Sequence, residues 1–301
     1  MTLTMTAREQ TRAVHPDQQG HVERDGVRVS WERYGSGEPT LLLLPAWSII
    51  HSRQWKAQIP YLARHFRVVT FDGRGNGRSD RPSIAEAYDD AEYVADALAV
   101  LEATGTERAV LVGLSRGSRW AVELAAARPE RVLGAVLIDS GIPFVAPPHP
   151  WWTHPFDEEL DTTEGWAKFN RHYWLRDYRG FVEFFASEVF PEPHSTKQIE
   201  DMVGWGLETT AETLVLTQLG PQPASREEME AILRRVRCPV LVVHGDDDRL
   251  RPLAVATAVA ELTGGALVTV EGGGQCPQAR HPVKVNLCIR EFVESLGGRV
   301  R

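Results

Sequence analysis

The run Ala109-Val110-Leu111-Val112 passes straight into Gly113-Leu114-Ser115-Arg116-Gly117, and from Arg116 to Ala127 apolar residues return at helical spacing. A strand that becomes a helix within about one residue holds that residue in a strained turn. Small neighbours on both sides let the turn close while the serine hydroxyl points outward, the geometry of a nucleophile elbow. The same turn leaves the Arg116 backbone N–H at a helix start, where an unpaired donor and the positive end of the helix dipole favour developing negative charge.

The rest of the chain supplies a sheet for that turn. Strand-like runs at Pro39 to Leu44, Val68 to Phe71, Ala109 to Val112, Val132 to Ile138, Val240 to Val243 and Ala266 to Val270 alternate with helical patterns. Those patterns cover Tyr93 to Leu101, Arg116 to Ala127, Leu253 to Leu262 and Val283 to Leu296. This order predicts an α/β fold with a mostly parallel twisted sheet flanked by helices. His21 to Arg24 and Val27 to Tyr34 straddle Asp25-Gly26, a hairpin dipeptide, so an antiparallel pair opens the sheet.

Between Gly141 and Pro223 the strand rhythm stops and aromatic residues crowd in, among them Trp151, Trp152, Trp166, Phe169, Trp174, Phe181, Phe185 and Trp205. Prolines bracket the stretch at Pro143, Pro147, Pro148, Pro150, Pro221 and Pro223. The expected organisation is a flexible tail over 1–20, a core built from 21–142 and 220–301, and a helical lid inserted at 143–219. Most of the aromatics would form the lid's own core, and the remainder would line an apolar pocket.

Lys+Arg 33 against Asp+Glu 41 gives a net charge of -8, which leaves no basic footprint for a phosphate backbone. The polar first twenty residues lack the apolar centre of a secretory signal, and no later run approaches a membrane span. A cytoplasmic protein acting on a small molecule, with no nucleic-acid or membrane partner, is expected. Cys238, Cys276 and Cys288 have neither pairing parity nor CxxC spacing. With no ligand-spaced His/Cys/carboxylate cluster and no phosphate loop, neither a metal nor an organic cofactor is expected; Gly73 to Gly77 reads as a turn.

Two further loops carry candidate chemistry. Pro45-Ala46-Trp47-Ser48 follows a strand, and the Trp47 N–H is the expected second oxyanion donor beside that of Arg116. Asp246-Asp247-Asp248 follows Val242-Val243-His244-Gly245, at the end of a sheet where sites are built. Asp248 is the candidate acid, Asp246 and Asp247 being alternatives that would cap a helix or remain solvated. Asp139, also just past a strand, is a second candidate.

In family order, Phe71-Asp72-Gly73-Arg74-Gly75-Asn76-Gly77-Arg78-Ser79, the serine elbow and Gly245-x-x-Asp248-x-x-x-Pro252 make the chain resemble the α/β-hydrolase superfamily. It most resembles a lidded bacterial branch, in which stretches like Trp47 to Ser52 and Glu192 to Gln198 recur. The resemblance implies a catalytic histidine after the last strand, where this chain reads Gly273-Gly274-Gln275-Cys276-Pro277.

A glutamine amide cannot take a proton near neutral pH, so Ser115 lacks its usual base at that position. Gln275 is expected to bind substrate instead, and His281, His51, His172 and His194 are reserve bases. Three functions follow. The first is hydrolysis of an ester, thioester or lactone of a small or medium apolar carbonyl compound with an altered triad. The second is non-hydrolytic chemistry at a carbonyl, by cyclisation, addition or elimination. The third is ligand binding alone.

Overall fold

A computed structural model describes residues 13–143, 154–220 and 225–297. Eight strands form one sheet in the order β1-β2-β4-β3-β5-β6-β7-β8. They are β1 (Gln18–Arg24), β2 (Val27–Tyr34), β3 (Thr40–Leu43), β4 (Arg67–Phe71), β5 (Ala109–Leu114), β6 (Val132–Ile138), β7 (Val240–Gly245) and β8 (Ala266–Val270). The pairs β1–β2 and β2–β4 are antiparallel, and from β4 to β8 every pairing is parallel. The first turn has positive φ at both Asp25 and Gly26, as a tight hairpin requires. β1 begins at Gln18, so Gln18, Gln19 and Gly20 belong to the sheet rather than to the expected tail.

The eleven α-helices among the described residues are α1 (Ile59–Leu62), α2 (Asp90–Ala103), α3 (Arg116–Ala127), α4 (Arg171–Arg176), α5 (Tyr178–Val189), α6 (Thr196–Gly206), α7 (Ala211–Leu219), α8 (Arg226–Arg235), α9 (Leu253–Thr263), α10 (Pro277–Arg280) and α11 (Pro282–Gly297). The period-2 alternation of the strands sorts the core into two layers. Leu42, Val69, Leu111, Leu137 and Val242 pack with α2, α3, α8 and α9; Leu41, Leu43, Val112, Val136 and Val243 pack with α11 and with α5 to α7. Helix α8 escaped the sequence reading because its apolar positions are sparse in a charged background, yet Met229 and Leu233 are fully buried.

Between β6 and β7 the described chain is helical, α4 to α8, with no strand. Trp151, Trp152, Pro147, Pro148, Pro150, Pro221 and Pro223 lie outside the described residues. Most of the remaining aromatics build a local core: Trp174 packs 4.4 Å from Phe181 and 5.1 Å from Phe169, ring centre to ring centre, and donates its indole N–H to the Lys168 carbonyl. This core reaches the sheet through Trp47, 5.7 Å from Trp174 and 5.3 Å from Phe185. Truncating a fully buried indole leaves a cavity that neighbouring rings cannot refill. Trp174→Ala is therefore expected to cost about 3–5 kcal/mol, read by denaturant unfolding, with a broadened transition as α4 to α7 separate from the sheet.

Candidate functional site

The carboxyl ends of β3, β5, β6, β7 and β8 converge on Ser115. Its φ of 53° and ψ of −119° lie where side-chain-bearing residues rarely sit. The strain is held because the flanking backbone closes in. A side chain at Gly113 would meet the Gly117 carbonyl at 2.3 Å, one at Gly117 the Pro45 carbonyl at 2.3 Å, and one at Gly141 the Ser115 carbonyl carbon at 2.7 Å. The Ser115 N–H donates to Ile138, and the Ser115 carbonyl accepts from Ser118 and Gly141. Among the described residues neither the Trp47 N–H nor the Arg116 N–H donates to a backbone carbonyl. Both residues line, with Ser115, a cavity of about 420 Å³.

The cavity wall is partly as expected, with Trp47, Phe156, Phe169, Phe185, Leu219 and Leu250. It also holds Arg116, Arg119 and Arg251, so the expectation of an apolar pocket is corrected. Arg119 follows Arg116 by three residues on α3, a spacing that places both on one helix face. That signal was available in the sequence. His154 lines the same cavity and was not among the reserve bases; nothing in its local sequence marks it.

The acid loop separates its three aspartates. Asp246 and Asp247 are exposed, and Asp246 accepts the Gly272 N–H at 2.6 Å, tying the loops after β7 and β8 together. Asp248 turns inward, its Oδ1 accepting the Leu250 N–H at 2.7 Å, while its buried Oδ2 has no hydrogen-bond partner. Beside it lie Asp139 and His244, both fully buried, with donor atoms of the three residues within 4.8 Å of one another.

His244 Nε2 is 3.1 Å from the Arg251 carbonyl, which only accepts, so Nε2 carries the ring proton. Burial lowers the imidazole pKa to about 4. Nδ1 therefore presents a lone pair to Asp139 Oδ1 at 3.2 Å. Two lone pairs at that distance repel, and a proton kept on Asp139 resolves the conflict. Burial first, and then the charge of Asp248, raises Asp139 well above the carboxylate range. Burial raises Asp248 to about 7 against the opposing Leu250 N–H. This donor set suits a shared proton without calling on a metal ion.

Gln275 is buried and its amide Nε2 donates to the Asp139 carbonyl at 3.3 Å. It is not among the residues lining the Ser115 cavity, and its amide is turned to the Asp139 carbonyl instead. The physical reason is that a buried amide takes the nearest acceptor. A side chain at Gly245 would meet the Gly273 carbonyl at 2.2 Å, so the loop carrying Gln275 is pressed onto the end of β7. The buried thiol of Cys276 is raised far above its usual pKa by desolvation, which makes it inert.

The reserve histidines fall elsewhere. His51 caps the turn at Ser52 and faces Glu208 at 3.4 Å; His172 bonds the Asp157 carbonyl at 2.9 Å; His281 accepts from Val285 at the start of α11. His194 sits exposed at φ 65°. Among the described residues, none of the four lines the Ser115 cavity.

A fold of this kind has counterparts among known proteins. The family model of the alpha/beta hydrolase fold matches residues 39–161. The 2-hydroxymuconate semialdehyde hydrolase of Pseudomonas sp. (strain CF600) is 28% identical over 282 residues, 89% of this chain and 91% of that protein. The chain has the α/β-hydrolase fold. A pimeloyl-[acyl-carrier protein] methyl ester esterase of Xanthomonas oryzae pv. oryzae is 29% identical over 266 residues, 86% of this chain and 96% of the esterase. Among solved structures, Est816, described as an N-acyl homoserine lactone degrading enzyme, superposes with a TM-score of 0.74 at 25% identity, covering 91% of this chain and all of Est816. No described helix of the chain is long and apolar enough to cross a membrane.

The raised pKa of Asp248 has a stability consequence. Between the unfolded carboxyl value of about 3.9 and the folded value of about 7 the native state binds the extra proton, so this contribution is full at acid pH and lost as pH rises through 7. His244 works in the opposite sense, its depressed pKa costing stability as pH falls below about 6.5. Comparison with Asp248→Asn isolates the acid. The variant should gain stability relative to the parent on going from pH 4 to pH 8, by an amount on the order of a few kcal/mol, in thermal unfolding followed across that range.

Proposed function

We propose that the protein is a serine-dependent hydrolase that opens an ester, thioester or lactone of a small or medium carbonyl compound. The observation that carries this reading is the convergence of the strained Ser115 with Trp47 and Arg116, whose N–H groups are not spent on backbone carbonyls, on one walled cavity. Ser115 Oγ would attack the carbonyl carbon while the two N–H groups take the oxyanion. Collapse expels the alcohol or thiol, or opens the lactone, and water then releases the acyl group. Helices α4 to α7 act as the lid over this cavity. The activities named for two relatives, a methyl ester esterase and a lactone-degrading enzyme, support acyl–oxygen cleavage.

The proton of Ser115 needs an acceptor that Gln275 does not provide. Among the described residues, His154 is the imidazole that shares the cavity with the serine, and we assign it that role in the altered triad. Asp248 stays behind as the acid of the unaltered arrangement, its Oδ2 unpartnered where a histidine after β8 would donate. That vacancy also favours a second reading, in which the oxyanion site polarises a carbonyl for non-hydrolytic chemistry with no acyl-enzyme.

A fluorophosphonate probe and a panel of esters and lactones separate the two readings. The hydrolase reading expects rapid labelling that Ser115→Ala abolishes, and His154→Ala should lower kcat by about 10²- to 10⁴-fold. Slow labelling with no ester or lactone turnover would favour the second reading. Under the hydrolase reading Gln275→His should raise ester turnover by a similar factor, by giving Asp248 Oδ2 its donor and Ser115 a second base. A variant with unchanged turnover would mean that the loop after β8 does not present residue 275 to the serine.

A further inference from the structure

We propose that the Ser115 cavity is built for an anionic substrate, a carbonyl compound bearing a carboxylate that is held by the guanidinium of Arg116 within a field set up by Arg119 and Arg251. This inference rests on the assignment of that cavity as the substrate site and adds the charge of its occupant.

The whole chain carries a net charge of -8, yet three arginines line this one cavity. The acidic lining residue is Asp157, exposed and engaged by Arg171 at 2.9 Å. Arg119 is salt-bridged to Asp90, and Arg251 lies beside Asp248, a carboxyl that burial keeps substantially protonated near neutral pH. Arg116 differs from Arg119 in that, among the described residues, it makes no salt bridge. Its Nη1 donates to the Thr217 carbonyl at 3.0 Å, and its guanidinium lies 5.5 Å from the Trp47 ring centre.

A guanidinium has several N–H donors in a planar fork that matches a carboxylate, and Arg116 uses one of them on Thr217. Concentrating like charge in a desolvated place is costly, and desolvation followed by the charge of Arg119 lowers the Arg116 pKa to about 10. An anion in the cavity would relieve that cost. Arg116 also follows the nucleophile directly, so its side chain anchors a ligand next to the reacting serine. The aromatic wall of Trp47, Phe169 and Phe185 suits the carbon chain or ring between carboxylate and carbonyl.

The test reads binding rather than turnover, so that it stands apart from the hydrolytic assignment. Calorimetric titration of the full chain at pH 7.5 compares adipic acid monoamide with hexanamide, two amides of equal chain length differing in the terminal carboxylate. The monoamide should bind at least tenfold more tightly, an advantage that falls as salt is raised. Arg116→Met should abolish the advantage and Arg116→Lys should retain part of it. Equal binding of the two amides, binding of neither at millimolar concentration, or an advantage that survives Arg116→Met would each overturn the proposal. Should the methionine variant fail to fold, the parent's anion-to-neutral ratio and its salt dependence decide alone. Fluorophosphonate labelling of Ser115 in the same preparations reports separately on the serine: labelling without anion preference removes this inference and leaves the hydrolase reading in place.

Discussion

The carboxyl edge of the sheet is organised by the backbone closing without side chains around Ser115. Gly113, Gly117 and Gly141 each stand where a methyl group would overlap backbone atoms at under 3 Å. The Gly113 contact closes the elbow on itself, and the other two bring separate strand loops to the serine. Gly117 lets the Pro45 carbonyl approach and so brings in the loop carrying Trp47; Gly141 brings in the loop after β6, with Asp139 two residues before it. The positive φ at Ser115 is one member of this set of contacts, and the strain it carries is offset by the packing of the layers on both faces of the sheet.

A second constraint is the treatment of charge behind the serine. Asp139, Asp248 and His244 are withdrawn from water together, and the neutral imidazole and raised carboxyl groups let them share protons instead of repelling one another. In front of the serine the balance is reversed, with guanidinium groups along the cavity wall. The site is therefore polar across its depth, nearly neutral behind the sheet ends and cationic where a ligand would enter. Gln275 sits at the rear, on the Asp139 carbonyl, and Asp248 Oδ2 keeps an open valence for a donor.

Much of this was legible in the sequence because it depends on local pattern. The apolar runs from Val132 to Ile138 and from Ala266 to Val270 match β6 and β8 residue for residue, and Arg116 to Ala127 matches α3. The elbow, the hairpin at Asp25-Gly26 and the entry of Pro282 into α11 also follow from short-range chemistry. Contacts between distant segments were not legible. His244 gave a weak signal, a lone ionisable residue in an otherwise apolar strand, but its pairing with Asp139 depends on the register of β6 against β7. The same holds for Arg251 and His154, which reach the cavity through tertiary packing, and for Gln275, whose amide found an acceptor that only the assembled loops provide.

Thr217 joins parts of the molecule that chain order keeps far apart. Its hydroxyl accepts the Trp47 indole N–H at 2.7 Å and its carbonyl accepts from Arg116 at 3.0 Å, so one residue near the end of α7 holds the side chains of both residues proposed as oxyanion donors. Helix α7 cannot shift outward without breaking these bonds or dragging Trp47 and Arg116 with it. Widening the entrance and disassembling the site are thus one mechanical event. An outward shift of α7 would therefore pull on the side chains of the two residues whose backbone N–H groups are the proposed oxyanion donors.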